Sequence, residues 1–182
     1  MATDSAGGVL PTLPFSRLPV LLALVSVALG GIFLLNRADT QARDTIRKHH
    51  LEDLEQALYF ARAAHGTFPP YNQPNWCGLL NTPASSPVRA QIEAALRAQN
   101  AKYANPDKPF PHDPQSDRAP SEALAKEGQS FDYFYWKRNP AIFELYAILE
   151  TDPNAERNTT HCNSVPQLVF DYGITSIWRE NP

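Results

Sequence analysis

The chain has 182 residues and a formal net charge of −3, which leaves room beside a hydrophobic segment for one soluble domain with a real core. No Lys/Arg-rich patch interleaves with aromatics, which argues against nucleic acid as a partner. The two cysteines, Cys77 and Cys162, stand far apart and outside any CxxC pair, which excludes a zinc ribbon and a thioredoxin-type motif.

Residues 1–17 are rich in Gly, Pro, Ser and Thr and read as a disordered segment. Leu18 to Leu35, LPVLLALVSVALGGIFLL, then runs without a charge. As a helix it covers about 27 Å, close to the hydrocarbon thickness of a bilayer. A transmembrane helix is predicted over residues 18–36. A cleaved secretory signal would use Ala28-Leu29-Gly30, but Ile32-Phe33-Leu34-Leu35 continues the apolar run past that point, which favours a retained anchor. Arg17 precedes the run, whereas Arg37, Arg43, Arg47 and Lys48 follow it, a distribution that by the positive-inside count places the remaining chain in the cytoplasm. A lone cysteine pair in a loop-rich domain fits an oxidising compartment instead, and two buried free thiols are the other reading of that pair.

Between Ile32 and His65 there is neither proline nor glycine, and Gly66 supplies a stop. The membrane helix is therefore predicted to continue as a soluble helix through residues 37–66. Leu51, Leu54, Leu58 and Ala61 share one face that must dock. Asp44–Lys48 and Lys48–Glu52 read as i,i+4 pairs on the solvated side. Residues 67–182 form the predicted head. It opens with GTFPPYNQPNWCGLLNTPAS, too proline-rich for regular structure. The chain's 17 prolines fall mostly outside the helical stretches and predict long, stiff loops. A second helix follows, with Ser86 as N-cap, Pro87 at N1, and Val88, Ile92, Ala95 and Leu96 at helical spacing.

After another proline-rich loop comes a short helical or irregular stretch around Ser121–Lys126. Strands are then predicted at FDYFYWK (131–137) and AIFELYAILE (141–150), joined at Arg138-Asn139-Pro140, with a third at LVFDYG (168–173). The fold class is α+β: a long helix laid on a small antiparallel sheet.

Chemistry-bearing residues are sparse. His49 and His50 are adjacent and point about 100° apart on a helix, so they cannot form a zincin pair. His65 and His112 stand alone, and His161-Cys162 with Cys77 lacks a fourth metal ligand at recognisable spacing. Nucleophile motifs and a phosphate-binding glycine loop are absent from the sequence. Glu144 and Glu150 lie at even spacing on one strand face, which a solvated face explains better than an acid/base pair. The aromatic strand is read as packing rather than a carbohydrate platform.

Four local motifs in order carry a resemblance. RKHHLEDLEQALYFARAAHGTFP (47–69) ends in His65-Gly66-Thr67-Phe68-Pro69. Phe110-Pro111-His112-Asp113-Pro114 follows, then the aromatic strand Phe131–Trp136 and the strand Phe143–Glu150. Together they resemble type IV pilins and pseudopilins, in particular the major pseudopilin of type II secretion. There, Asn-Gly-x-Tyr-Pro and Leu-Pro-x-Asp-Pro stand at the corresponding places. His65, Gly66, Phe68, Pro69, Pro111, Asp113 and Pro114 are thereby marked as structural motif residues.

The resemblance implies an inner-membrane, single-pass structural component of an envelope secretion or filament apparatus, with its soluble domain outside the cytoplasm. Its partners would be the membrane and other pilin-like or secretion subunits, with no catalytic residue and no small-molecule substrate. In such a compartment Cys77 and Cys162 can pair as a disulfide. The major pseudopilin's calcium-binding loop directs attention to Asp152, Asn154 and Glu156 as oxygen ligands, against a solvated turn as the alternative; otherwise no cofactor is expected.

One departure stands out. The family's leader ends in Gly before Phe-Thr-Leu-x-Glu, whereas here Gly7-Gly8 precedes Val9-Leu10-Pro11-Thr12-Leu13, and no acidic residue lies between Asp4 and Leu35. The expectation is a pilin-like protein that keeps its anchor and does not use the family's glutamate register. An unrelated anchored extracytoplasmic domain that binds an envelope ligand is the alternative.

Overall fold

A computed structural model describes residues 18–102, 108–118, 130–151, 158–159 and 169–176. The chain divides into two compact units, Met1–Asp39 and Thr40–Pro182. Helix α1, Leu18–His65, is one uninterrupted 48-residue helix.

In the first unit α1 is apolar and exposed all round, with Val27 75% and Leu35 71% accessible. It is long and apolar enough to cross a membrane. The hydroxyl of Ser26 donates to the carbonyl of Leu22, so this polar group is satisfied within the helix, as a lipid environment requires.

In the second unit α1 becomes amphipathic. Leu51, Leu54, Ala57, Leu58 and Ala61 are at most 1% exposed, which is the stripe that the spacing predicts. Gly66 ends the helix with φ +74, a left-handed conformation that costs a side-chain-bearing residue roughly 1–2 kcal/mol. Its N–H closes the last turn on the Arg62 carbonyl. The chain then turns through buried Phe68 and a cis Pro69–Pro70 bond.

Strand β1, Trp76–Leu79, lies within the segment expected to lack regular structure. Four residues between prolines give no readable periodicity, and the ladder comes from a strand far along the chain: Cys77 pairs with Trp136, and Gly78 with Tyr135. A 3-10 turn, Pro83–Ser85, leads into α2, Ser86–Lys102. Val88, Ile92, Ala95 and Leu96 of α2 are buried as expected.

Strands β2, Phe134–Asn139, and β3, Ile142–Ala147, form the predicted hairpin. The Asn139 side-chain oxygen accepts from the N–H groups of Ala141 and Ile142 and fixes the turn. The expected third strand splits at Asp171. Residues Val169–Phe170 (β5) pair with Asn158–Thr159 (β4), whereas Tyr172–Thr175 (β6) joins β3. The main sheet is antiparallel in the order β1-β2-β3-β6.

Alternation sorts the sheet's side chains between two faces. Tyr133, Tyr135, Phe143, Leu145 and Ala147 turn toward Leu51, Leu54 and Leu58 of α1 and Val88, Ile92 and Leu96 of α2, and these residues form the main core. Phe134, Ile148 and Phe170 gather with Phe131 on the other side. This is the α+β layout expected from the sequence: the second half of a long helix packed on a small antiparallel sheet.

Candidate functional site

Among the described residues of the second unit, a dense polar cluster is built around Arg47, whose side chain is fully buried. Its guanidinium grips Asp113 in a fork, Nε to Oδ2 at 2.8 Å and Nη2 to Oδ1 at 3.0 Å. It also donates to Asp44 at 2.8 Å and to Glu150 at 2.6 Å. Arg43, one turn earlier on α1, forks onto both oxygens of Glu150 at 2.9 Å. Asp44 in turn accepts from the N–H of Glu150 and from the N–H and hydroxyl of Thr151. The Phe131 ring lies 4.6 Å from the Arg47 guanidinium carbon.

The electrostatics follow from this geometry. Burial alone would raise Asp44, but the Thr151 hydroxyl, the N–H groups of Glu150 and Thr151, and Arg47 hold it below the usual carboxylate value. Glu150 is likewise held down by Arg43 and Arg47 against the cost of burial. Burial would lower Arg47, but the carboxylates around it, Asp113 first, push it above its ordinary value. Every charge here meets an opposite one, and the donors and acceptors are matched. Such a network fixes geometry and offers no proton for transfer.

Asp44 is not on a solvated face: it is 3% exposed and belongs to the cluster. Glu150 lies beyond the end of β3 and serves as an ion-pair partner, and Glu144, expected on a solvated face, is 4% exposed. Glu144 accepts from the Tyr146 hydroxyl at 2.5 Å and from Arg138 at 2.6 Å. Asp44 is buried by Glu150 and Thr151 from far along the chain, which helical spacing does not reveal, whereas Glu144 is covered within its own hairpin by Tyr146 and Arg138.

The motif residues fall at two places. Asp113 is the acceptor of the Arg47 fork, and its Oδ1 also caps the N–H of Gln115 in a turn. Pro111 is buried beside Phe110, and Pro114 is exposed. Gly66, Phe68 and Pro69 form the corner after α1, where His65 stacks on Tyr71 with ring centroids 4.0 Å apart. The histidines are dispersed. His49 faces Glu52 at the surface, His50 meets the Tyr133 hydroxyl at 2.7 Å, and His112 lies by Arg89. Burial lowers both His50 and His112.

Cys77 sits on β1, and no cysteine among the described residues is a free thiol. Its expected partner Cys162, the candidate calcium ligands Asp152, Asn154 and Glu156, and His161 lie outside the described residues. So does the expected stretch at Ser121–Lys126. Among the described residues no three His, Cys, Asp or Glu side chains gather as a metal site.

The arrangement therefore defines a class: a helix-on-sheet α+β head whose helix belongs to the same continuous α1 as an apolar, membrane-length stretch. No family model matches the chain, and comparison with curated proteins and with solved structures finds no significant match.

Proposed function

We propose that the chain is a membrane-anchored, pilin-like or pseudopilin-like structural component of an envelope secretion or filament apparatus. In this reading it sits in the inner membrane with its head outside the cytoplasm. The observation that carries the proposal is the single helix Leu18–His65, apolar at its start, then striped, ending at Gly66 and packing its stripe on a small antiparallel sheet. The Arg47–Asp113 fork supports it by giving the Pro-x-Asp-Pro motif a physical role. The role proposed is structural, with no catalytic step. The apolar run carries no acidic residue, so the subunit lacks a carboxylate that could neutralise a neighbour's amino terminus within an apolar filament core. An accessory subunit that stays in the membrane fits this composition better than one that forms the filament shaft.

A photo-crosslinking residue placed at Ile46, which is 42% exposed on α1, tests the assignment in cells. Adducts with other pilin-like or secretion subunits are expected. A groove of about 360 Å³ between α1 and α2, lined by Phe60, Ala64, Tyr71 and Ala94, favours the second reading, an unrelated anchored domain that holds an envelope ligand. Adducts confined to such a ligand would establish that alternative.

A further inference from the structure

Lys137 is 1% exposed, yet it carries a charge into the core face of β2. Its ammonium donates to three main-chain carbonyls of one short segment: Phe68 at 2.8 Å, Pro70 at 2.8 Å and Gln73 at 2.7 Å. An ammonium has three N–H donors, and all three are used. A fourth carbonyl of the segment, Pro69, accepts from the Tyr135 hydroxyl at 2.6 Å. Two of the residues whose carbonyls converge here are prolines, which have an acceptor but no N–H. The segment is therefore rich in acceptors and poor in donors. Convergent carbonyl oxygens of this kind are what a bare cation binds.

We propose that residues 68–73 form a cation-binding cradle whose resident cation is the tethered ammonium of Lys137, and that the emptied cradle takes up a free primary ammonium ion. The cradle sets the position of Tyr71, whose N–H donates to Gln91 of α2 at 3.1 Å and whose ring stacks on His65 of α1. One buried charge on β2 thus holds the corner that joins both helices to the sheet. Burial pushes the Lys137 amine down from its ordinary value, so it gives up its proton, and the cradle loses its positive charge, below the ordinary lysine value. The other titratable or charged groups facing the segment are Arg62, whose guanidinium lies over the Phe68 ring, Tyr59, whose ring meets Phe68 edge-on, His65 on α1, Tyr135 on β2 and Tyr71 itself. Gln91 from α2 and Phe143 from β3 face it as neutral groups, and Trp76 of β1 stands opposite Lys137 in the ladder.

The test is hydrogen–deuterium exchange of the 67–75 peptide in the full-length protein in detergent micelles. Lys137→Ala is expected to lose protection there by about tenfold or more. Ethylammonium chloride should restore it, whereas tetramethylammonium chloride at matched ionic strength, a cation with no N–H, should not. Lys137→Met, which fills the space without a donor, should stay unprotected in both salts. Unchanged exchange in Lys137→Ala, or an equal response to the two cations, would overturn the proposal. Should Lys137→Ala not fold, the wild-type chain decides it alone. Protection at Tyr71 and Gln73, corrected for base-catalysed exchange, should fall with a single-proton midpoint below the ordinary lysine value, and a flat profile would refute the cradle.

Discussion

Arg47 and Asp113 are 66 residues apart in sequence and share a buried two-pronged ion pair that ties α1 to the loop after α2. Removing the guanidinium strands carboxylates in a buried site, so Arg47→Ala should cost about 3–5 kcal/mol. Arg47→Lys keeps the charge but loses the planar fork, and should cost about 1.5–3 kcal/mol. The double change Arg47→Met with Asp113→Leu should be less damaging than the sum of the single changes. Denaturant unfolding of the full-length chain in detergent, followed by tryptophan fluorescence, measures these five variants against the wild type.

The same cluster sets the acid limb of stability. Asp44 and Glu150 titrate lower in the folded chain than in the unfolded one. Their contribution is complete above the unfolded carboxylate values and is lost as pH falls through the folded values. Asp132 has the opposite sign. Burial pushes it up to about 6, against the N–H groups of Asn81 and Tyr133 that it accepts. The folded state therefore takes up this proton first, and stability should rise as pH falls through that value toward the unfolded one. A melting profile across pH should peak between about pH 4 and 6 and drop below that. In Asp132→Ala the rise on the upper side should vanish and the acid fall remain.

The helix and hairpin were legible because their signals are local. The three-and-four spacing of Leu51, Leu54 and Leu58, the stop at Gly66 and the Asn139 turn each need only a few neighbouring residues. The cluster was not legible, because Asp44 is a helix-surface residue by spacing and its partners Glu150 and Thr151 lie 106 and 107 residues away. β1 is illegible for a related reason: its stability comes from pairing with β2, and its own four residues carry no pattern. Lys137 looked like the end of an aromatic strand. Only the fold brings the carbonyls of residues 68–73 over it.

Gly173 lies opposite Tyr146 in the β3–β6 ladder, and a Cβ there would stand 2.4 Å from the Tyr146 ring. That ring is also stacked on Phe170 with centroids 5.8 Å apart, so it has little freedom to move aside. Gly173→Ala should destabilise the head by about 1–3 kcal/mol. Adding Tyr146→Ser should make the pair less than additive, as thermal melts of the single and double variants would show.

The proposed Cys77–Cys162 disulfide should appear as one cross-linked peptide in non-reducing digests of protein taken from the envelope. Reduction should cost about 2–4 kcal/mol of stability. Two alkylatable thiols in the native, unreduced protein would refute the pairing and weaken the assignment of the head to an oxidising compartment.

The proposed arrangement, an anchored chain with its head outside the cytoplasm, is checked by protease added to intact spheroplasts, with carbonate-washed membranes examined in parallel. The full-length chain should stay in the washed membrane, and external protease should digest the head. Deleting residues 18–35 should move the protein to the soluble fraction. Release of the intact chain by carbonate, or a head digested only after the membrane is permeabilised, would contradict it.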